Sequence, residues 1–216
     1  MNILSVVAIL VNMACVGNSA PLLEYSGETG QQVEDSEINV FIGNSQDLIT
    51  KILDAIPETH KSSIYTETLI LNSTNENRKL QYMATKLGIP SAPTLKALAD
   101  NFTLETCLRR ISEGLQLHQD LLRAVQPRLD NTGYLTALMM DVRDLRVQIT
   151  KMLRLIKVEG TVLPTETGLA SRLTGDYEVQ VATHLILVQL QSFGQDIVCS
   201  LSNIAQDSGQ RDNSGL

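Results

Sequence analysis

The chain has 216 residues, of which 43% are hydrophobic and only 4% aromatic, and it contains no tryptophan. A core built from leucine, isoleucine, valine and methionine favours helices packed on helices over an aromatic-rich sheet. The formal net charge of −7 argues against nucleic acid or an anionic membrane as partner, because both are bound through basic surfaces. The composition therefore predicts an all-α protein whose partner is another protein.

An apolar run near the start of the chain predicts export. Residues 3–16 have the length of a signal-peptide core and are too short to cross a hydrocarbon layer of about 30 Å. Small residues follow at Gly17, Ser19 and Ala20. We expect residues 1–20 to be a signal peptide, leaving a secreted, extracellular protein without membrane insertion. No lysine or arginine precedes the run, so an uncleaved N-terminal anchor is the alternative.

Apolar residues recurring at helical spacing predict four long helices. Thr103 is the predicted N-cap of the second helix, because its hydroxyl can accept from a free amide of the first turn. Pro57 is predicted to kink or end the first helix. The polar, glycine-containing residues 207–216 are predicted to form a disordered tail. The four helices cover about residues 38–60, 103–125, 134–156 and 176–205.

The lengths of the connections predict how these helices are arranged. A short connection makes helices two and three antiparallel, whereas each long connection allows its flanking helices to run parallel. This order gives a long-chain four-helix bundle with up-up-down-down topology and two long crossover loops, the arrangement of growth hormones and cytokines. We expect one such domain over residues 21–206, with a short extra helix at residues 79–87 in the first crossover.

The sequence contains no nucleophile elbow, phosphate-binding glycine loop or HExxH zinc motif. His118 lies on the inward stripe of helix two and is expected to be a packing residue. Asp141 and Asp144 could form an acid and base pair, but nothing else in the chain indicates a cleft for them. We therefore expect no catalysis, no cofactor and no metal.

Two N-glycosylation sequons lie in the first crossover. Asn72 begins Asn-Ser-Thr and Asn101 begins Asn-Phe-Thr. Both are candidate glycosylation sites, since the topology exposes this loop. For Asn101, which lies against a helix start, a capping or loop role is the alternative.

A pattern around helix two resembles the family of long-chain helical cytokines that contains granulocyte colony-stimulating factor and interleukin-6. It consists of the linker LGIPSAP followed by Cys107, Gly114, Leu115, His118 and Leu122. The family motif has a second cysteine where Ala97 stands and an aromatic residue where His118 stands. Agreement continues in LMMDVRDL and, more loosely, in VATHLILVQLQSF, which looks equally like interleukin-6. The resemblance covers about residues 87–206.

This resemblance implies a secreted cytokine that dimerises a class I cytokine receptor of the granulocyte colony-stimulating factor type. Such a ligand would drive proliferation and differentiation of the granulocyte lineage and take part in the immune response. An interleukin-6-like cytokine is the alternative within the family. Outside the family, the rival is a secreted helical carrier of an apolar ligand, although the uniformly bulky inward positions favour a filled core.

The family binds its receptor through an acidic pair on helix three. The resemblance carries this role to Asp141 and Asp144, with Met140 beside them, and a solvated surface charge is the alternative for either carboxylate. On helix one, spacing alone places three polar residues on one face for the same site. These are Asp47, Lys51 and Asp54.

The family's second receptor surface lies where the first crossover and helix four begin. Leu173, just before helix four, is a candidate contact there.

The cysteines raise a separate structural question. With Ala97 in place of the family's partner cysteine, Cys107 is either free or paired with Cys199. These residues lie at neighbouring ends of antiparallel helices two and four, so a bridge between them is geometrically plausible. A free buried thiol and an intermolecular pair are the alternatives.

Overall fold

The computed structural model describes residues 31–95, 103–158 and 167–212. The predicted signal peptide and Asn101 lie outside these residues. The described parts are helical and contain no strand. The helices are α1 (Gln31–Ser63), α2 (Thr74–Leu87), α3 (Leu104–Val125), α4 (Gly133–Leu155), α5 (Leu169–Arg172) and α6 (Asp176–Asp212), with a 3₁₀ turn at Gln126–Arg128 after α3.

The four long helices α1, α3, α4 and α6 form the predicted up-up-down-down bundle. Helix α1 packs against α4 and α6, and α3 packs against the same two helices. Lys51 contacts Asp141. Phe41, ten residues earlier in α1, contacts Lys151, ten residues later in α4, so α1 and α4 run in opposite directions. Each helix therefore packs against two antiparallel neighbours, and the prediction of an all-α bundle with two long crossovers is confirmed.

Several helix boundaries differ from the sequence prediction: α1 begins at Gln31 and not near residue 38, α2 begins at Thr74 and not near residue 79, and two helices extend beyond their expected ends. Helix α1 continues through Pro57 to Ser63, so the expectation that Pro57 could end it is wrong. Interior proline costs about 3 kcal/mol, but Ile52 and Ile56 beside it are fully buried, and each such burial contributes about 1.5–3 kcal/mol. Helix α6 extends to Asp212, so residues 207–212 are helical although we predicted a disordered tail from 207.

Inward-facing aliphatic side chains fill the centre of the bundle. The apolar stripes predicted for the helices are buried, including Ile49, Ile52, Leu108, Ile111, Leu115, Leu138, Val142, Ile186 and Leu190. Helices α3 and α6 approach closely at Gly114, where an added Cβ would lie 2.2 Å from Cζ of Phe193. The Phe193 ring thus occupies the space that a larger residue at 114 would need.

The first crossover is fastened to the bundle through α2 and the linker after it. Gly88, with φ of 67°, ends α2 in a Schellman motif in which Ile89 N donates to the Ala84 carbonyl at 2.9 Å. Beyond it, the Pro90 carbonyl accepts from Gln189 of α6 at 2.9 Å. The LGIPSAP linker is therefore anchored by a side chain of the bundle.

Helix α3 begins as predicted. The Thr103 hydroxyl accepts from the Thr106 amide at 3.2 Å, which satisfies one of the four free amides of the first turn. At the same end, Arg110 of α3 donates to the Thr94 carbonyl at 2.9 Å. The linker and the start of α3 are thus joined by a hydrogen bond as well as by the chain.

Candidate functional site

Helices α1 and α4 are joined by an ion pair between two residues of the predicted site. Lys51 Nζ donates to Asp141 Oδ1 at 2.6 Å, and the side chains are 65% and 12% exposed respectively. The Asp141 carboxylate is thus largely covered and paired within the chain, while the Lys51 ammonium remains accessible. These two residues are 90 positions apart in the sequence, and packing of α1 against α4 brings them together.

Asp144 and Met140 lie one turn apart on the exposed side of α4. The Asp144 carboxylate is 48% exposed and accepts from the Arg143 guanidinium at 2.9 Å. Met140 is 51% exposed, and Val147 continues the same stripe with 44% exposure. Sequence reasoning missed Arg143 and Val147, although Val147, three residues after Asp144, could have been placed on this surface from its spacing.

The predicted polar face of α1 lies beside this stripe. Asp47, Lys51 and Asp54 are all exposed and share one side of the helix. Because Lys51 lies opposite Asp141 and the helices are antiparallel, Asp47 lies toward Asp144. The α1–α4 face, as we call it, consists of Asp47, Lys51, Asp54, Met140, Asp141, Asp144 and Val147.

The α1–α4 face combines negative charge with exposed apolar side chains. Its four carboxylates outnumber the cationic groups on or beside it, which include Lys51, Arg143 and Lys151. Such a surface suits a partner with basic side chains surrounding an apolar contact. Contacts of this kind are made on an open surface and need no cleft.

Leu173 does not occupy the position that the sequence predicted. Its side chain is only 3% exposed, and its carbonyl accepts from Arg128 at 2.6 Å. The short helix α5 turns Leu169 and Leu173 together into the core. The prediction that the Leu173 side chain contacts a partner directly is therefore wrong.

Two exposed tyrosines lie where that contact was expected. Tyr65 is 70% exposed and Tyr177 is 53% exposed. Gln180, three residues after Tyr177 on α6, is buried, and its Oε1 accepts from the Tyr65 amide at 2.9 Å. Its Nε2 donates to the Ser63 carbonyl at 3.1 Å, satisfying a free carbonyl at the end of α1. We call Tyr65 and Tyr177 the tyrosine end.

Of the alternatives left open for Cys107, the structure shows the free buried thiol and not a bridge to Cys199. Cys107 is a buried free thiol in contact with the Ser200 hydroxyl, and burial raises its pKa to about 11. Neighbouring helix positions point about 100° apart, so α6 turns Ser200 rather than Cys199 toward Cys107.

His118 is the packing residue that the sequence predicted. Its ring stacks on Phe193 with centroids 5.4 Å apart, and its Nδ1 donates to the Gly114 carbonyl at 2.7 Å. The other ring nitrogen is buried without a hydrogen-bond partner. Burial lowers the pKa of His118 to about 4.

Asn72 lies in the turn before α2, and its side chain is exposed, as an acceptor of glycan requires. Among the described residues, no three or more metal-ligating side chains converge.

None of the described helices combines the length and the apolar character needed to cross a membrane.

Comparison with known proteins identifies the family. The granulocyte colony-stimulating factor family matches residues 66–201, from the first crossover well into α6. Granulocyte colony-stimulating factor of Felis catus is 32% identical over 110 residues, which are 50% of this chain and 55% of that protein. The protein of Ovis aries is 31% identical over 118 residues, 53% of this chain and 66% of that protein.

The corresponding protein of Sus scrofa is 29% identical over 119 residues, 54% of this chain and 60% of that protein. The chain therefore spans between about half and two thirds of the length of the curated relatives it matches. The family match covers more than half of this chain. The chain belongs to the granulocyte colony-stimulating factor family of cytokines.

Proposed function

We propose that this protein is a secreted cytokine that binds and dimerises a class I cytokine receptor of the granulocyte colony-stimulating factor receptor type. It would thereby drive proliferation and differentiation of the granulocyte lineage. The observation that carries the proposal is the exposed, acidic α1–α4 face in a member of this family. A ligand of this kind makes and breaks no covalent bond; it holds receptor chains in a fixed geometry.

The α1–α4 face is the proposed principal receptor site. The exposed carboxylates of Asp47, Asp54 and Asp144 would attract basic receptor residues and accelerate association. Met140 and Val147 would supply the apolar contacts that slow dissociation, since binding energy concentrates in a few well-packed residues. Asp141 acts in this scheme through Lys51, whose ammonium it holds in place on the face.

The tyrosine end is the proposed second receptor surface, because dimerisation needs two separate contacts on one ligand. Tyrosine is enriched among residues that dominate binding energy. Gln180 fixes the backbone of Tyr65, so the tyrosine is presented from an ordered loop.

The principal site is tested by reversing one charge. We expect Asp144→Arg to weaken receptor binding by well over tenfold while the fold stays intact, because a cation would then face the receptor's basic residues. Receptor affinity, and tyrosine phosphorylation in cells bearing the granulocyte colony-stimulating factor receptor, measure the effect. Glu113→Arg is the matched control: Glu113 is exposed on α3, diagonally across the bundle from α1.

Unchanged affinity of a folded Asp144→Arg variant would refute the site. Failure of the parent protein to trigger phosphorylation in these cells would refute the receptor assignment. Phosphorylation confined to cells bearing an interleukin-6-type receptor would support the alternative cytokine. The carrier hypothesis gains no support from the core, since Phe193 fills the space opposite Gly114.

A further inference from the structure

Three side chains from separate helices form a chain of hydrogen bonds at the end of the bundle where α1 ends and α6 begins. His60 Nε2 lies 2.9 Å from His184 Nδ1. His184 Nε2 lies 2.8 Å from Asn77 Oδ1, and Asn77 Nδ2 donates to the Leu71 carbonyl at 3.0 Å. These bonds connect α1, α6, α2 and the turn that precedes α2. We call His60, His184 and Asn77 the histidine latch.

The bonding pattern assigns the protons. Because Asn77 uses its NH₂ group on Leu71, its oxygen faces His184 as an acceptor. His184 therefore carries its proton on Nε2 and offers the lone pair of Nδ1 to His60, whose Nε2 donates. Every polar atom on this path then has one partner of the correct kind.

Protonation affects the latch in two steps. A first proton added at Nδ1 of His60 leaves all three bonds intact. A second proton must enter at Nδ1 of His184, where it removes the acceptor and leaves two cationic rings whose facing nitrogens are 2.9 Å apart. Double protonation is therefore incompatible with the closed latch.

Among the side chains that the structure describes, none compensates for that charge. His184 is fully buried, and its pKa is lowered to about 4 by burial and by His60; burial also lowers the pKa of His60. Within the described part of the chain, no carboxylate hydrogen-bonds to either ring. The charged residues on neighbouring segments whose side chains the structure describes are exposed, namely Glu58, Lys61, Glu67 and Arg78. On α6, no acidic or basic residue other than His184 occurs between Glu178 and Asp196.

We propose that the histidine latch is a pH-sensitive device that fastens residues 64–77 to α1 and α6 at neutral pH and releases them in acid. Only Ile64 and Leu69 within this segment are buried apolar residues, so little packing remains once the latch opens. The Tyr65 amide is also held by Gln180 Oε1 at 2.9 Å, a bond without a titratable partner, so the loss of order should be greatest between residues 67 and 77. The device is a property of the isolated chain and does not depend on the receptor assignment.

Hydrogen exchange tests the latch directly. We expect the protection factors of amides in residues 64–77, which correct for the intrinsic pH dependence of exchange, to fall at least tenfold between pH 7 and pH 4.5. In His60→Gln this fall should be largely abolished, because glutamine can donate to or accept from His184 as its protonation changes. His118→Phe is the control, since it removes the other buried histidine and should retain the fall.

Two outcomes would overturn the proposal. One is unchanged protection of residues 64–77 in the parent protein at pH 4.5, and the other is an equal fall in folded His60→Gln. NMR titration of the parent protein's imidazole protons gives an answer that needs no variant. We expect His60 and His184 to titrate as a coupled pair, with the second step below pH 6; independent titration of both near 6.5 would contradict the latch.

Discussion

Two glycines inside the long helices differ in what surrounds them. An added Cβ at Gly114 would lie 2.2 Å from the Phe193 ring, whereas one at Gly43 meets nothing within 4 Å. Both lie in helix interiors, where glycine costs up to about 1 kcal/mol relative to alanine. The same substitution therefore has opposite expected effects at the two positions.

We expect Gly114→Ala to lower the free energy of unfolding by about 1–2 kcal/mol, because displacing the Phe193 ring costs more than the gain in helix propensity. Gly43→Ala should raise it by about 0.5–1 kcal/mol. Denaturant unfolding followed by circular dichroism measures both. A stabilised Gly114→Ala variant would show that the α3–α6 contact is looser than the structure indicates.

At the scale of the helix, the end of α4 shows where the chain departs from local preference. Lys157 has φ of 56°, and Val158 N donates back to the Leu153 carbonyl at 2.9 Å. This is the Schellman ending also seen after α2, but here a lysine stands in the position that favours glycine. The left-handed conformation costs an L-residue about 1–2 kcal/mol.

Lys157→Gly should therefore raise the free energy of unfolding by about 0.5–1 kcal/mol. This is less than the backbone strain that glycine relieves, because glycine also gives the unfolded chain more conformational entropy. Lys157→Ala is the comparison that removes the same charge without relieving the backbone. Thermal or denaturant unfolding of the two variants checks the prediction. Equal stability of the alanine and glycine variants would contradict it.

For the whole molecule, buried histidines make stability depend on pH. The folded-state pKa values of His118 and His184 are lowered to about 4, against an ordinary value near 6.5. Between these values the unfolded chain binds more protons than the folded one, so stability is full above about pH 6.5 and declines as the pH falls toward 4. For fully buried His118 the decline amounts to about 3 kcal/mol.

We expect His118→Phe to reduce the loss of unfolding free energy between pH 7 and pH 4.5, because phenylalanine takes up no proton and keeps the stack on Phe193. Denaturant midpoints at the two pH values measure this loss. A variant that loses as much stability as the parent would show that His118 is not the source.

Sequence periodicity and loop length predicted most of the fold. Thr103 as the cap of α3, the apolar stripes and the order of long and short connections are local features, and the structure confirms them. Of the two outcomes predicted for Pro57, a kink or an end, the helix does not end there, because propensity is local, whereas burial of Ile52 and Ile56 is decided by neighbouring helices. Among the predicted α1–α4 residues, Lys51 and Asp141 are in contact, and the receptor site itself stays a prediction.

The sequence by itself determined the helical class, the bundle topology and the family, because these depend on repeat spacing, connection length and a local motif. Only the tertiary structure decided the partners of individual side chains: Ser200 beside Cys107, Leu173 turned inward, Asp141 paired with Lys51, and His60 bonded to His184. Such contacts depend on the rotation of each helix about its own axis and on distances between residues up to 124 positions apart. A shift of one position turns a helical side chain by about 100°, so helical pattern alone does not fix them.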